Sequence, residues 1–200
     1  MANIDKPAGL RPVEHLNGNP WNGKANMYSI DVHNTPAIFI GDLVRSDNTY
    51  SADTTGKYPG IYQAAAGGAV RGVVIGFSDQ PYMAFDTSDL DRKYCPASKA
   101  MYALVVDDPD VLFEIQEDSD GGNISADSIG LNCDVTIDTT GDTNSGISGM
   151  ELDSSDVSVD TDHQLRILRV VNREDNALGT NCKFLVKINE HELSASTVGI

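Results

Sequence analysis

The chain has 200 residues, enough for one domain with a buried core, and 40% hydrophobic with 6% aromatic residues is ordinary for a globular protein. No apolar run approaches the roughly 20 residues of a spanning helix, so no helical membrane span is expected. The net charge of −16 falls almost wholly in one block: Asp107 to Asp162 holds sixteen Asp or Glu and no Lys or Arg, while the remaining fourteen acids match fourteen bases. Such a surface repels phosphate backbones and anionic headgroups, which argues against nucleic acid and membranes as partners.

Residues 1–24 read as an extended N-terminal arm, followed by a single β domain over 25–200 that carries the acidic segment 107–162. The start, "MANIDKPAGLRP", has no apolar stretch of the kind a secretory signal needs, which implies synthesis in a cytoplasm without export. In the arm Pro7, Gly9, Pro12, Gly18, Pro20 and Gly23 interrupt too often for a helix or a long strand. Leu10, Val13, Leu16 and Trp21 would be wasted in free solvent, so the arm is expected to lie on something, either its own domain or a neighbour. These four are the candidate contact residues.

Short strand-like runs follow. "ANMYSIDV" alternates, "AIFIGDLVRS" is next, and "DNTYSADTTGKYPG" reads as a surface loop. In "AAAGGAVRGVVIGF" the four-residue glycine spacing does not make a membrane helix pair, because Arg71 and the β-branched run Val73-Val74-Ile75 oppose one. A dinucleotide or phosphate loop is excluded too, since no helix follows and Gly-Lys-Ser/Thr is missing. A turn at Gly67-Gly68 feeding a strand is expected instead, with Gly72 and Gly76 on one face. Asp108-Pro109-Asp110 splits "KAMYALVV" from "VLFEIQED" as a turn. "DVTIDTT", "GISGMEL", "HQLRILRVV" and "CKFLVKINEHEL" supply further short strands, with Phe184, Val186 and Ile188 facing one way. "ISADSIGLN" offers at most a single helical turn. The expected fold is all-β, a small β-barrel or β-sandwich with little helix.

No catalytic constellation is legible. Gly146-Ile147-Ser148-Gly149 lacks the last glycine of a nucleophile elbow, with Met150 in its place. Asp107, Asp108 and Asp110 read as a capped turn rather than an acid–base pair. Cys95, Cys133 and Cys182 are odd in number and far apart, which fits buried free thiols better than zinc ligands or disulfides. "EDSDGGN" and "DTTGDTN" are oxygen-rich turns that miss the EF-hand pattern, leaving weak calcium binding open. Neither a metal nor a cofactor is expected. Tyr58, Tyr62 and Tyr82 motivate an alternative reading as a receptor- or glycan-binding surface module.

Several segments taken in order, "MANIDKPAGLRPVEHLNGNPWNG", "GDLV", "AAAGGAVRGVVIGF", "YALVVDDPDVLFEIQED", "LRILRVVNREDNALG" and "KFLVKINEHEL", resemble a family of tailed-bacteriophage capsid decoration, or cement, proteins. The resemblance runs nearly the length of the chain and is specific as a set rather than in any one piece. It implies a non-enzymatic protein on the outer surface of the head, with the major capsid protein as partner. It also implies a homotrimer, or else a homodimer, made in the host bacterial cytoplasm and residing on the virion. It supplies no catalytic residues. The three cysteines and the insert "DNTYSADTTGKYPG" depart from the pattern. A related head-completion or tail protein is the neighbouring alternative.

Overall fold

The computed structural model describes residues 3–51, 53–81, 92–137 and 141–194. Fourteen strands and one 3-10 turn at Ala126–Ser128 make the described residues almost entirely β. The strands are β1 (Arg11–His15), β2 (Asn26–Ile30), β3 (Ile38–Phe39), β4 (Leu43–Asp47), β5 (Gly60–Gln63), β6 (Gly72–Ser78) and β7 (Tyr94–Cys95). They continue as β8 (Met101–Val106), β9 (Val111–Gln116), β10 (Asn132–Cys133), β11 (Val135–Thr136), β12 (Glu151–Leu152), β13 (Leu165–Val170) and β14 (Lys183–Ile188). The expected all-β fold is present, and it includes a closed barrel.

The barrel runs β2-β5-β4-β6-β8, and β8 returns to pair antiparallel with β2. Closure removes the open edges that would otherwise template aggregation. A five-stranded antiparallel sheet, β1-β9-β14-β13-β10, packs against it, and two small ribbons, β3-β7 and β11-β12, complete the fold. The Asp108-Pro109-Asp110 turn joins barrel strand β8 to sheet strand β9, as the sequence predicts. Between β4 and β5 the described residues of 48–59 are largely exposed, as expected of a surface loop.

The apolar doublets of the sequence follow from this packing. Leu43-Val44, Val73-Val74 and Val105-Val106 sit on adjacent barrel strands, and all six side chains are buried. Successive strand residues point to opposite faces. Val44, Val74 and Val105 therefore fill the barrel with Tyr28, Ile30, Ile61 and Met101. Leu43, Val73 and Val106 point outward and meet Phe113, Ile115, Phe184 and Val186 from the sheet. A wall buried on both faces must be apolar on both faces, so these strands do not alternate with polar residues. Phe184, Val186 and Ile188 share one buried cluster, as their spacing predicts.

One expectation fails. Gly72 and Gly76 do not share a face, because a bulge lies between Val74 and Gly76: Val74 pairs with Val105, and Gly76 pairs with the next residue, Leu104. The extra residue inverts the alternation beyond it. A Cβ on Gly72 would lie 2.3 Å from the Val106 carbonyl oxygen, which is the close approach expected of it. At Gly76 the nearest atom is a Leu104 methyl carbon at 3.8 Å, so that glycine marks the bulge and not a crowded corner.

The tightest crossing joins the arm to the barrel. Gly9 has φ +60° and Gly41 has φ +99°. A Cβ on Gly9 would stand 2.5 Å from the Gly41 carbonyl oxygen, and one on Gly41 would stand 2.6 Å from the Ala8 oxygen. The two backbones touch, and Leu10 N–H donates to the Gly41 oxygen at 2.9 Å. Gly9→Ala therefore adds both a clash and a strained φ, and is expected to cost about 1–3 kcal/mol or more. The urea midpoint should fall with an unchanged m-value; an unaltered midpoint would show that the crossing is not tight in solution.

Candidate interaction surface

The four candidate contact residues take different places. Leu10 is 1% exposed in the core shared by barrel and sheet. Burying such a side chain contributes roughly 1.5–3 kcal/mol, and it is not available to a neighbour. Trp21 is half-buried and packs against the same core. Val13 and Leu16 are 43% and 54% exposed. The arm therefore lies on its own domain through Leu10, with Ile4 turned outward at 73% exposure, and beyond Leu10 it stays on the domain as β1 while Val13 and Leu16 face outward.

Polar side chains hold the first part of the arm. Asn3 Nδ2 donates to the Ala177 and Thr180 oxygens, and Asn3 Oδ1 accepts from Ala177 N–H. Gln116, nearly buried at the end of β9, accepts from Lys6 N–H and donates to both Asp5 and Glu151. One amide thus ties the arm, β9 and β12 together.

The second part is a small hairpin. β1 pairs with β9, and its outer edge is covered by the chain returning over Asn19 to Trp21. His15 N–H donates to the Asn19 oxygen at 2.8 Å, and Trp21 N–H to the Val13 oxygen at 3.1 Å. Leu16 N–H donates to the Asp110 oxygen at 2.7 Å, which fixes the hairpin tip on the β8–β9 turn. Beside it lies a groove of about 450 Å³ lined by His15, Trp21, Lys24, Asp107, Pro109 and Leu193. The exposed apolar residues are therefore held on a rigid base.

The remaining candidates have structural employment. Asp107 accepts from Asn26 Nδ2 at 2.8 Å and from the Tyr28 hydroxyl at 2.6 Å, and Arg71 Nε donates to that hydroxyl at 2.8 Å. Burial and the Asp107 carboxylate push the Tyr28 hydroxyl up to about 12. Asp108 Oδ1 accepts from Asp110 N–H, the capped turn that the sequence suggests. Ser148 is buried, and its Oγ accepts from Met150 N–H. Asp42, in the "GDLV" segment, is 1% exposed and accepts from Phe39 N–H and Gln63 Nε2. Burial pushes its carboxyl up to about 6 against those bonds. The three cysteines are buried free thiols. Burial raises Cys95 to about 12 and Cys182 to about 11, which suppresses their reactivity.

The oxygen-rich turn "EDSDGGN" brings Asp118 and Asp120 near Asp153, with ligand oxygens within 4.8 Å of one another. Asp118 is already engaged, accepting from Ser154 N–H, Ser154 Oγ and Thr136 Oγ1. In "DTTGDTN" residues 138–140 lie outside the described residues, and Asp142 accepts from the amides of Asn144 and Ser145. Of the three tyrosines, Tyr58 meets the Tyr102 ring edge-on, with centroids 5.5 Å apart. Tyr62 lies under the Arg45 guanidinium at 4.1 Å, and Tyr82 lies outside the described residues.

Sequence reasoning missed the buried acidic seam beside Gln116. Glu117 is fully buried and accepts from Ile124 N–H at 2.9 Å. Burial, with Asp5, Asp118 and Glu117 nearby, pushes the Glu151 carboxyl up to about 7. No periodicity marks these acids, because their partners come from distant segments.

Neither a family model, nor a curated protein, nor a solved structure matches this chain. No helix among the described residues is long and apolar enough to cross a membrane.

A raised carboxyl stabilises the fold while it is protonated, and that contribution is lost as pH rises from the unfolded value near 4.5 through about 7. Glu151→Gln keeps an acceptor for Gln116 and removes the titration. Its melting temperature relative to the parent protein should therefore climb between pH 4.5 and pH 7.5. A pH-independent difference would show that Glu151 is not held neutral by the fold.

Proposed function

We propose that this chain is a non-enzymatic virion structural protein. In this reading it binds the outer surface of a tailed-phage head as a homotrimer and bridges major capsid subunits. The observation that carries the reading is the two-ended build of the five-stranded sheet. At one edge stands β1, with exposed Val13 and Leu16 on a hairpin fixed by backbone hydrogen bonds. At the other stands β10, whose Cys133 has Asp118, Asp134, Asp153 and Asp156 near it, all from the stretch without a single Lys or Arg.

An apolar end that grips and an acidic end that repels suit a protein on the outside of a particle. Outward-facing carboxylates keep neighbouring particles apart and exclude free nucleic acid. The order of segments that resembles decoration proteins supports the same reading, as do the structural roles found for Asp42, Asp107 and Ser148. Glycan binding gains less support, because Tyr58 and Tyr62 are packed against other side chains.

Deleting the whole arm is not a clean test, since it removes Leu10 from the core and β1 from the sheet. The double substitution Val13→Asp, Leu16→Asp changes only exposed side chains and should leave the melting temperature nearly unchanged. It should weaken binding to heads at least about tenfold, or ~1.4 kcal/mol. Cryo-EM of the decorated particle should place the hairpin against the capsid and the β10 edge toward solvent. Unchanged affinity in the double variant, or density for the chain inside the head, would overturn the proposal.

A further inference from the structure

Three segments at the acidic end converge on one histidine. Asp134 links β10 to β11, Asp156 lies in the turn after β12, and His163 precedes β13. The segments are tied by backbone bonds: Asp153 N–H donates to the Asp134 oxygen, and Asn132 and Ser158 exchange a pair at 2.8 and 2.9 Å. His163 is only 9% exposed. Its Nε2 lies 2.8 Å from Ser158 Oγ, which orients the ring. Its Nδ1 faces Asp134 Oδ2 and Asp156 Oδ2, each at 3.5 Å. Among the described residues Nδ1 makes no hydrogen bond.

Those separations carry the argument. At 3.5 Å the contacts are longer than hydrogen bonds between nitrogen and oxygen, which cluster near 2.9 Å. Bonds of about 2.0–2.2 Å from zinc to nitrogen and oxygen place neighbouring tetrahedral ligands about 3.3–3.5 Å apart. Nδ1 of this largely buried side chain thus stands at ligand spacing from two carboxylates rather than at hydrogen-bonding distance. The three donor atoms all lie within 4.8 Å of one another, and Asp156, with half its side chain exposed, can move to close the set. Asp134 is anchored through its other oxygen, which accepts from Gln164 N–H at 2.8 Å.

We infer that Asp134, Asp156 and His163 form a binding site for one divalent transition-metal ion of the zinc type. His163 Nδ1 and one oxygen from each aspartate are the ligands, and Ser158 holds the ring by accepting a hydrogen bond from Nε2–H. The imidazole favours zinc-like ions over calcium, which takes six to eight oxygen ligands. The two carboxylates match the ion's charge in a region with no lysine or arginine between residues 107 and 162. Three protein ligands leave a coordination position for water, and the ion would pin the β12–β13 connection to the β10–β11 junction.

The inference does not depend on the capsid reading, and its test uses purified full-length protein alone. After chelator treatment, calorimetric titration with zinc chloride should show one equivalent bound and a higher melting temperature. Asp156→Asn, at an exposed position, should weaken binding by more than tenfold while keeping the fold, and His163→Gln should abolish it. Ser158→Ala should cost about 10–100-fold, as removal of an orienting partner does. Cobalt substitution should give a tetrahedral visible spectrum without a thiolate charge-transfer band. No heat with zinc, or unchanged binding in either ligand variant, would overturn the assignment. So would several weak equivalents that calcium displaces, which would mean surface carboxylates only, or a thiolate band, which would mean Cys133.

Discussion

Where the chain crosses itself at Gly9 and Gly41, two backbones lie so close that neither position has room for a Cβ. Both residues also occupy the left-handed region of backbone space, where glycine alone is unstrained. The contact does more than fasten an end. It delivers Leu10 into the core between barrel and sheet and sets the direction in which β1 enters the sheet. Gln116 secures the approach from the other side by bonding to Asp5, Lys6 and Glu151 at once. Loss of the crossing would leave an open sheet edge at β9 and a hole where Leu10 sits.

With the arm seated, the rest of the architecture is a wall with two dry faces. β4, β6 and β8 contribute to the interior of the barrel and to the core shared with the sheet. The barrel closes its own edges, the hairpin covers β1, and Ser158 pairs with Asn132 beside β10. What remains outside includes Val13 and Leu16 on the hairpin at one edge of the sheet and, near β10 at the other, the carboxylates of Asp118, Asp134, Asp153 and Asp156 together with exposed Val159. The proposed attachment to a head surface and the inferred metal site belong to these opposite ends. Failure of either one leaves the other standing.

The sequence made the fold class legible because period-two runs broken by Gly, Asn and Asp state it locally. The β8–β9 turn, the 48–59 loop and the buried face of β14 were readable in the same way. The bulge in β6 was not, since Ile75 looks like any strand residue and only its partner strand shows that it is the extra one. Nor was the division of the arm. Leu10 and Leu16 are alike in sequence, and what separates them is whether a glycine pair lets the chain sink. The convergence of Asp134, Asp156 and His163 joins positions up to 29 residues apart through loops, beyond any spacing rule.

The central claim is that the arm enters the folded core at Leu10 and turns Val13 and Leu16 outward beyond it. Native-state hydrogen exchange at the Leu10 amide, whose acceptor is the Gly41 oxygen, tests that claim most directly. The account predicts that this amide exchanges only through global unfolding, as slowly as the amides of β14. Exchange on the scale of a fraying terminus, while β14 stays protected, would contradict it.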